Sequence, residues 1–335
     1  MRGIFFTVIF LIIVVFLIPL FILRDCDISI PGRDMLSKQQ TIESDLAIIV
    51  FNHDTKENMQ LELEDYIVGV VAAEVPAAFE MEALKAQAVA ARTYALWRKS
   101  VYGDGGCPEH LGAIVCTSHL HCQAWLSTEE LEERHGKKWM KKYLPGIEEA
   151  VASTRGVIMT YNMQPIEPLY HSTSGGTTEN SEDVFARSVP YLRSVSSPYE
   201  KDSPAFVDSY KITVKDFVAK IKGRYKDFKI DTKKVASEIN ILERSKGGNV
   251  KKIKIGNKEL TGGEVRELLG LRSADFTIEV KGKDMCFTTK GYGHGVGMSQ
   301  WGANGMAKQG STFSEILKHY YQGVSLSVLK SHRDN

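Results

Sequence analysis

The chain has 335 residues, room for a membrane segment and either one large domain or two modest ones. Its 42 Lys plus Arg stand against 41 Asp plus Glu, so no whole-molecule field draws it onto a polyanion, and nucleic acid is set aside as a partner. At 25% charged and 43% hydrophobic residues the composition is that of a folded protein, which argues against long disorder.

The uncharged run from Ile4 to Leu23 is long enough to span a bilayer. It ends in Arg24-Asp25-Cys26, without the small residues of a signal cleavage site and with bulky charged groups where a lipidated Cys26 would need small ones. A retained anchor over 1–25 is expected, its amino end cytoplasmic, followed by a polar tether over 26–45 and a folded domain over 46–325. The domain opens on the β-branched run Leu46–Phe51, read as a buried strand.

Next comes the strongest local pattern. Gly69 to Pro76 is apolar apart from Glu74, and Glu82 to Tyr94 follows as an Ala-rich helix with Leu84, Ala88, Ala91 and Ala95 on one face. So many small residues let a neighbour approach closely, which predicts a central helix. A carboxyl in apolar surroundings keeps its proton toward neutral pH, as a general acid must, although a structural pairing of Glu74 with Lys85 or Arg92 fits the pattern too. Lys85 and Arg92 lie two turns apart on one stripe and could face an anionic or sugar ligand; taken alone they read more simply as solvated charges.

Cys107, His110, Cys116, His119, His121 and Cys122 crowd into the following segment. Thiolate and imidazole suit tetrahedral zinc, with His110, Cys116 and Cys122 as expected ligands and Cys107, His121 or water as the fourth. The competing reading is a Cys107–Cys116 disulfide, as an extracytoplasmic domain allows. With 5 cysteines in all, at least one stays unpaired or binds metal.

Tyr170-His171-Ser172-Thr173-Ser174-Gly175-Gly176 packs hydroxyls, an imidazole and glycines together, an inventory that suits a sugar. No G-x-S-x-G elbow accompanies it, so serine-hydrolase chemistry is disfavoured. Residues from about 206 to 287 alternate strand-like runs such as Val250–Ile255 with a helix over Gly263–Leu269, read as a supporting subdomain with a solvated basic face. Gly291, Gly293, Gly295 and Gly297 then alternate around His294, which implies a strand or tight loop with exposed backbone. The stretch from Trp301 to Tyr320-Tyr321 predicts a closing helix.

Val71–Pro76 with Glu82–Tyr94, Tyr170–Thr178 and Gly291–Ala303 resemble, in collinear order, the signature of the stage II sporulation protein D family. That resemblance implies a lytic transglycosylase that cuts peptidoglycan between N-acetylmuramic acid and N-acetylglucosamine, with Glu74 as its acid and base. One carboxyl suffices when the muramyl 6-hydroxyl closes a 1,6-anhydro ring, whereas hydrolysis usually calls for two. It places His171, Ser174 and His294 in or beside the glycan cleft, with Tyr94 and Tyr170 as stacking or hydroxyl contacts, and leaves a cleft role open for Tyr320 or Tyr321. Some members resemble this chain in carrying a Cys/His cluster. The resemblance further implies stem-free glycan as substrate, engulfment of the forespore as the setting, and as partners an amidase (stage II sporulation protein P) and a membrane protein (stage II sporulation protein M). The protein would sit as a single-pass protein in the mother-cell membrane facing the forespore.

The expected fold is α+β: a mixed β-sheet core around the Ala-rich helix, with a cleft between subdomains. Two other function classes compete, a zinc hydrolase of wall peptides, for which H-E-x-x-H is missing, and an inert wall-binding scaffold.

Overall fold

A computed structural model describes residues 46–329. The expected anchor, tether and Cys26 lie outside the described residues, and no helix among the described ones is long and apolar enough to cross a membrane.

Strand β1 (Ala47–Phe51) pairs antiparallel with β2 (Asn58–Glu62), which runs directly into helix α1 (Leu63–Glu74). Pro76 forces α1 to stop: Val75 is extended at φ −126°, ψ 152°, the conformation that a following proline imposes. Helix α2 (Met81–Tyr102) holds neither Gly nor Pro and ends at Gly103, where φ is 61°. A loop with the short strands β3 (Gly106–Cys107), β4 (His110–Leu111) and β5 (Val115–Cys116) follows, β5 pairing parallel with β1. Helix α3 (Thr128–His135) starts on a capping box between Ser127 and Glu130. Gly136, at φ 81°, turns the chain into α4 (Lys137–Ser153).

Helix α2 is central, as expected. Leu84, Ala88, Ala91 and Ala95 face one core with α1 and α4, while Ala86, Val89 and Ala90 face a second. The second core holds β6 (Val157–Tyr161), β7 (Gln164–Pro165), β8 (Tyr170–His171) and the C-terminal elements. Small side chains on both faces allow the close double packing.

The segment Val207–Lys290 has a third core of its own. There β9 (Val207–Thr213) and helix α5 (Val214–Arg224) pack with the antiparallel trio β10 (Ile239–Arg244), β11 (Val250–Ile255) and β12 (Lys258–Leu260), helix α6 (Gly262–Leu269), and β13 (Phe276–Lys281) with β14 (Asp284–Lys290). The chain returns through β15 (Met298–Ser299), α7 (Gln300–Lys308), α8 (Phe313–Tyr320) and β16 (Ser325–Val328), the last pairing with β6.

The fold is α+β, with two corrections. In place of one mixed sheet, the described residues form six sheets of two or three strands, because the apolar residues gather into three separate cores, two of them against α2, and each sheet covers only part of one. The closing helix is two helices, divided by Gly310 at φ 90° and restarted by a capping box between Thr312 and Glu315. Tyr320 and Tyr321 are fully buried, their hydroxyls meeting Ser197 Oγ and the Leu169 carbonyl. They serve the core.

Candidate active site

A cavity of about 510 Å³ opens at the end of α1, lined by the chain from Ala72 to Ala78, by Leu126, and by Arg134, His135, Trp139 and Tyr143 from α3 and α4. It lies within the helical half. No residue of Val207–Lys290 lines it, so the expected cleft between subdomains is instead a cleft between α1 and the α3–α4 pair. Glu74 is the one carboxyl among the described residues lining it.

Burial raises the Glu74 pKa above its ordinary value, and hydrogen bonds from the Ala124 amide and the Gln300 side chain pull it part of the way back. The Ala124 N–H donates to Glu74 Oε1 at 2.6 Å. That amide gets so close because the chain at Trp125-Leu126 lies directly on α1 at Gly69, where any methyl group would overlap the indole nitrogen and the Leu126 carbonyl. Tyr170 donates from its hydroxyl to Gln123 Oε1 at 2.8 Å, and Gln123 in turn donates to Tyr66 at 3.2 Å.

Three distant stretches thus converge on one carboxyl. The parallel pairing of β15 with β8 sets Met298 against Tyr170 and Ser299 against His171, which brings Gln300, the first residue of α7, beside Glu74. Ser299 caps that helix by accepting from the Gly302 amide at 3.1 Å. The alternating glycines are a loop, not a strand: Gly291, Gly293, Gly295 and Gly297 all have positive φ, between 73° and 117°.

Other expected contacts fall elsewhere. Arg92 is fully buried and grips Glu64 through Nε and Nη2 at 2.8 and 2.6 Å, with the Val157 carbonyl at 3.0 Å. It is a core ion pair, not a ligand contact. Lys85 pairs with Glu82 at 2.8 Å, and the same carboxylate accepts from the Phe313 amide. Tyr94 is buried on Trp97, its hydroxyl directed at the His121 carbonyl. Ser174 is buried too, donating to Glu200 Oε1 at 2.7 Å. His171 donates from Nδ1 to the Val296 carbonyl at 3.1 Å, while its buried Nε2 has no partner. His294 lies against it with ring centroids 5.5 Å apart. Burial pushes His171 down to about 3 and His294 to about 4, so both are neutral. Neither histidine lines the cavity.

The composition alone did not single out Gln123, Ala124, Gln300 or the aromatic wall. His135 stacks on Trp139 with centroids 4.6 Å apart, and Trp139 leans on Tyr143 at 5.8 Å. Their four-residue spacing was the available signal.

In the adjoining loop the donor atoms of His110, Cys116 and His121 lie within 4.8 Å of one another, and Cys122 Sγ is 3.3 Å from His121 Nδ1. Cys107, Cys116, Cys122 and Cys286 are all free thiols. Hydrogen bonding from Cys122 lowers the Cys116 pKa toward thiolate. His121 Nε2 meets Glu109 at 2.8 Å, which leaves Nδ1 aimed at the sulfurs, the arrangement of a metal-binding histidine with its supporting carboxylate. The donor set fits zinc, with His121 beside His110, Cys116 and Cys122 and with Cys107 outside the group.

A family model described as Stage II sporulation protein matches residues 52–161. The Stage II sporulation protein D of Bacillus subtilis (strain 168) is 40% identical over 284 residues, 85% of this chain and 80% of the relative. That of Bacillus amyloliquefaciens is 40% identical over 289 residues, 86% and 81% of the two chains. A protein named Amidase enhancer from Bacillus subtilis (strain 168) is 28% identical over 312 residues, 77% of this chain and 40% of the relative.

Proposed function

The chain belongs to the stage II sporulation protein D family, and on that footing we propose that it is a peptidoglycan lytic transglycosylase of sporulation, with Glu74 as its acid and base. One observation carries the reading. Among the described residues Glu74 is the sole carboxyl on a sugar-sized cavity walled by aromatic rings, and burial raises its pKa.

Glu74, neutral on arrival of the glycan, gives its proton to the oxygen leaving N-acetylmuramic acid. The resulting carboxylate is stabilised by the Ala124 amide and by the Gln300 side chain, so it is formed where donors already point. It then takes the proton of the muramyl 6-hydroxyl, whose oxygen closes the 1,6-anhydro ring, and Glu74 is neutral again. With no second carboxyl on the wall, this route needs no activated water. Trp139 and Tyr143 offer flat apolar faces for sugar rings.

The same reading takes zinc to sit on His110, Cys116, His121 and Cys122, where it would tie the loop into one shape. The ordered loop delivers Gln123 to Tyr170 and the Ala124 amide to Glu74. The relative named Amidase enhancer favours a wall amidase as working partner, and we keep stage II sporulation proteins P and M, a membrane anchor at 1–25 and the engulfment membrane within the proposal.

Mass spectrometry of purified glycan after incubation tests it. Wild-type products should end in a 1,6-anhydro sugar, lighter by one water than a reducing end. Glu74→Gln should keep glycan binding while turnover drops by a factor on the order of a hundred or more. Reducing ends alone, or full turnover in Glu74→Gln, would sink the proposal.

A further inference from the structure

The hydroxyl-rich stretch 173–179 and the glycine loop 291–297 contribute nothing to the wall of the Glu74 cavity. They meet instead at a second, small cavity of about 10 Å³, closed on its far side by Gly247 and Asn249 of the β10–β11 turn and by Ser273, Asp275 and Lys290. That is room for one water or one bare ion. Glycines keep the walls close: a methyl group on Gly247 or Gly295 would strike the Glu179 side chain, and one on Gly175 the Asp275 carboxylate. Glu179, on the wall, is only 2% exposed. Its Oε1 accepts from Ser245 Oγ at 2.8 Å and from the Asn249 amide at 3.0 Å, while its Oε2 is buried without a partner. The neighbouring carboxylates Asp183 and Asp275 have cations of their own, Lys251 at 3.0 Å and Arg244 at 3.2 Å, and both bear on Glu179 with like charge. Lys290 is exposed and forms no ion pair among the described residues, so it does not fill that place. A buried carboxylate oxygen left without a donor is costly unless a proton or a cation meets it.

We propose that this cavity is a calcium site, in which Glu179 and Asp275 supply carboxylate oxygens and Thr177, Ser273 and Asn249 supply hydroxyl and amide oxygens. The wall offers oxygen and neither thiolate nor imidazole, a donor set for a hard cation and unlike that of the Cys/His loop. Magnesium keeps several of its waters when bound, and about 10 Å³ leaves no room for them. Calcium sheds its waters more readily and accepts the irregular geometry that five residues from four separate stretches provide. The ion would pin the segment Val207–Lys290 to the two loops it meets here, whatever reaction runs at Glu74.

Calorimetric titration and thermal melting of the full chain, desalted into calcium-free buffer and then given calcium chloride, are the test. Saturable binding of one ion is expected with Kd on the order of 0.1–1 mM, the range of extracellular calcium modules. Calcium at ~10 mM should then raise Tm by about 3 °C. Glu179→Gln keeps the shape of the side chain and removes its unpaired charge, so Tm without calcium should hold or rise while the calcium shift disappears. Thr177→Val with Ser273→Ala touches no charge and should weaken binding about tenfold. The absence of saturable binding to the wild-type chain would overturn the proposal. So would a calcium shift that survives Glu179→Gln, a Kd unmoved by the Thr177 and Ser273 changes, or an equal shift from magnesium chloride or sodium chloride at the same ionic strength.

Discussion

Glu74 owes its raised pKa to its address. The apolar residues around it were visible in the chain, and they raise its pKa by withholding water. The donors that moderate the shift were not visible, because Ala124 acts through its backbone and Gln300 arrives from the far end of the sequence. The proposed mechanism starts from protonated Glu74, so kcat/KM should fall as pH rises through its raised pKa. Gln300→Leu removes a hydrogen bond that favours the carboxylate, so the alkaline limb should move to higher pH while kcat drops; a pH–rate profile reads both. Arg92 was misread because Lys85 and Arg92 share a helical stripe, whereas its partner Glu64 sits on α1, a relation that spacing within one helix does not reveal. Arg92→Met should strand Glu64 as a buried charge and cost about 3–5 kcal/mol in urea unfolding.

At the scale of elements, β1, α2 and β11 follow directly from β-branched runs and the Ala-rich pattern. The six short sheets did not, since strands of two residues such as β3, β4 and β15 leave no periodicity to read. The loop from Cys107 to Leu126 joins the thiol and imidazole cluster to the Glu74 carboxyl within a few residues. Chelation, or Cys116→Ser with Cys122→Ser, should therefore lower turnover by releasing Ala124 from Glu74 as well as lowering the melting temperature. Gly69→Ala should show the same coupling from the other side. Its methyl has no room against Trp125 and Leu126, so we expect about 1–3 kcal/mol of destabilisation and a fall in kcat.

For the whole molecule, Glu200 is a group that makes stability sense pH. It is fully buried, accepts from the hydroxyls of Ser174 and Ser197, and burial pushes it up to about 7. The folded protein thus holds a proton that the unfolded chain releases near pH ~4.3. Stability from this group is complete below that value and drains away as pH rises to about 7, by roughly 3 kcal/mol. Chemical denaturation at several pH values should show that slope, and Glu200→Gln should flatten it. A different consequence follows from the pairing of β8 with β15. Gln300 reaches Gln87 from 213 positions away, and the Glu80 amide meets Asn304 across 224. Contacts so distant form late, after the N-terminal part of a growing chain has begun to fold. A chain emerging N-terminus first would carry Glu74 long before it carried the residues that complete the site. The proposed activity would stay silent until synthesis was essentially finished, a delay written into the order of the chain's own sequence.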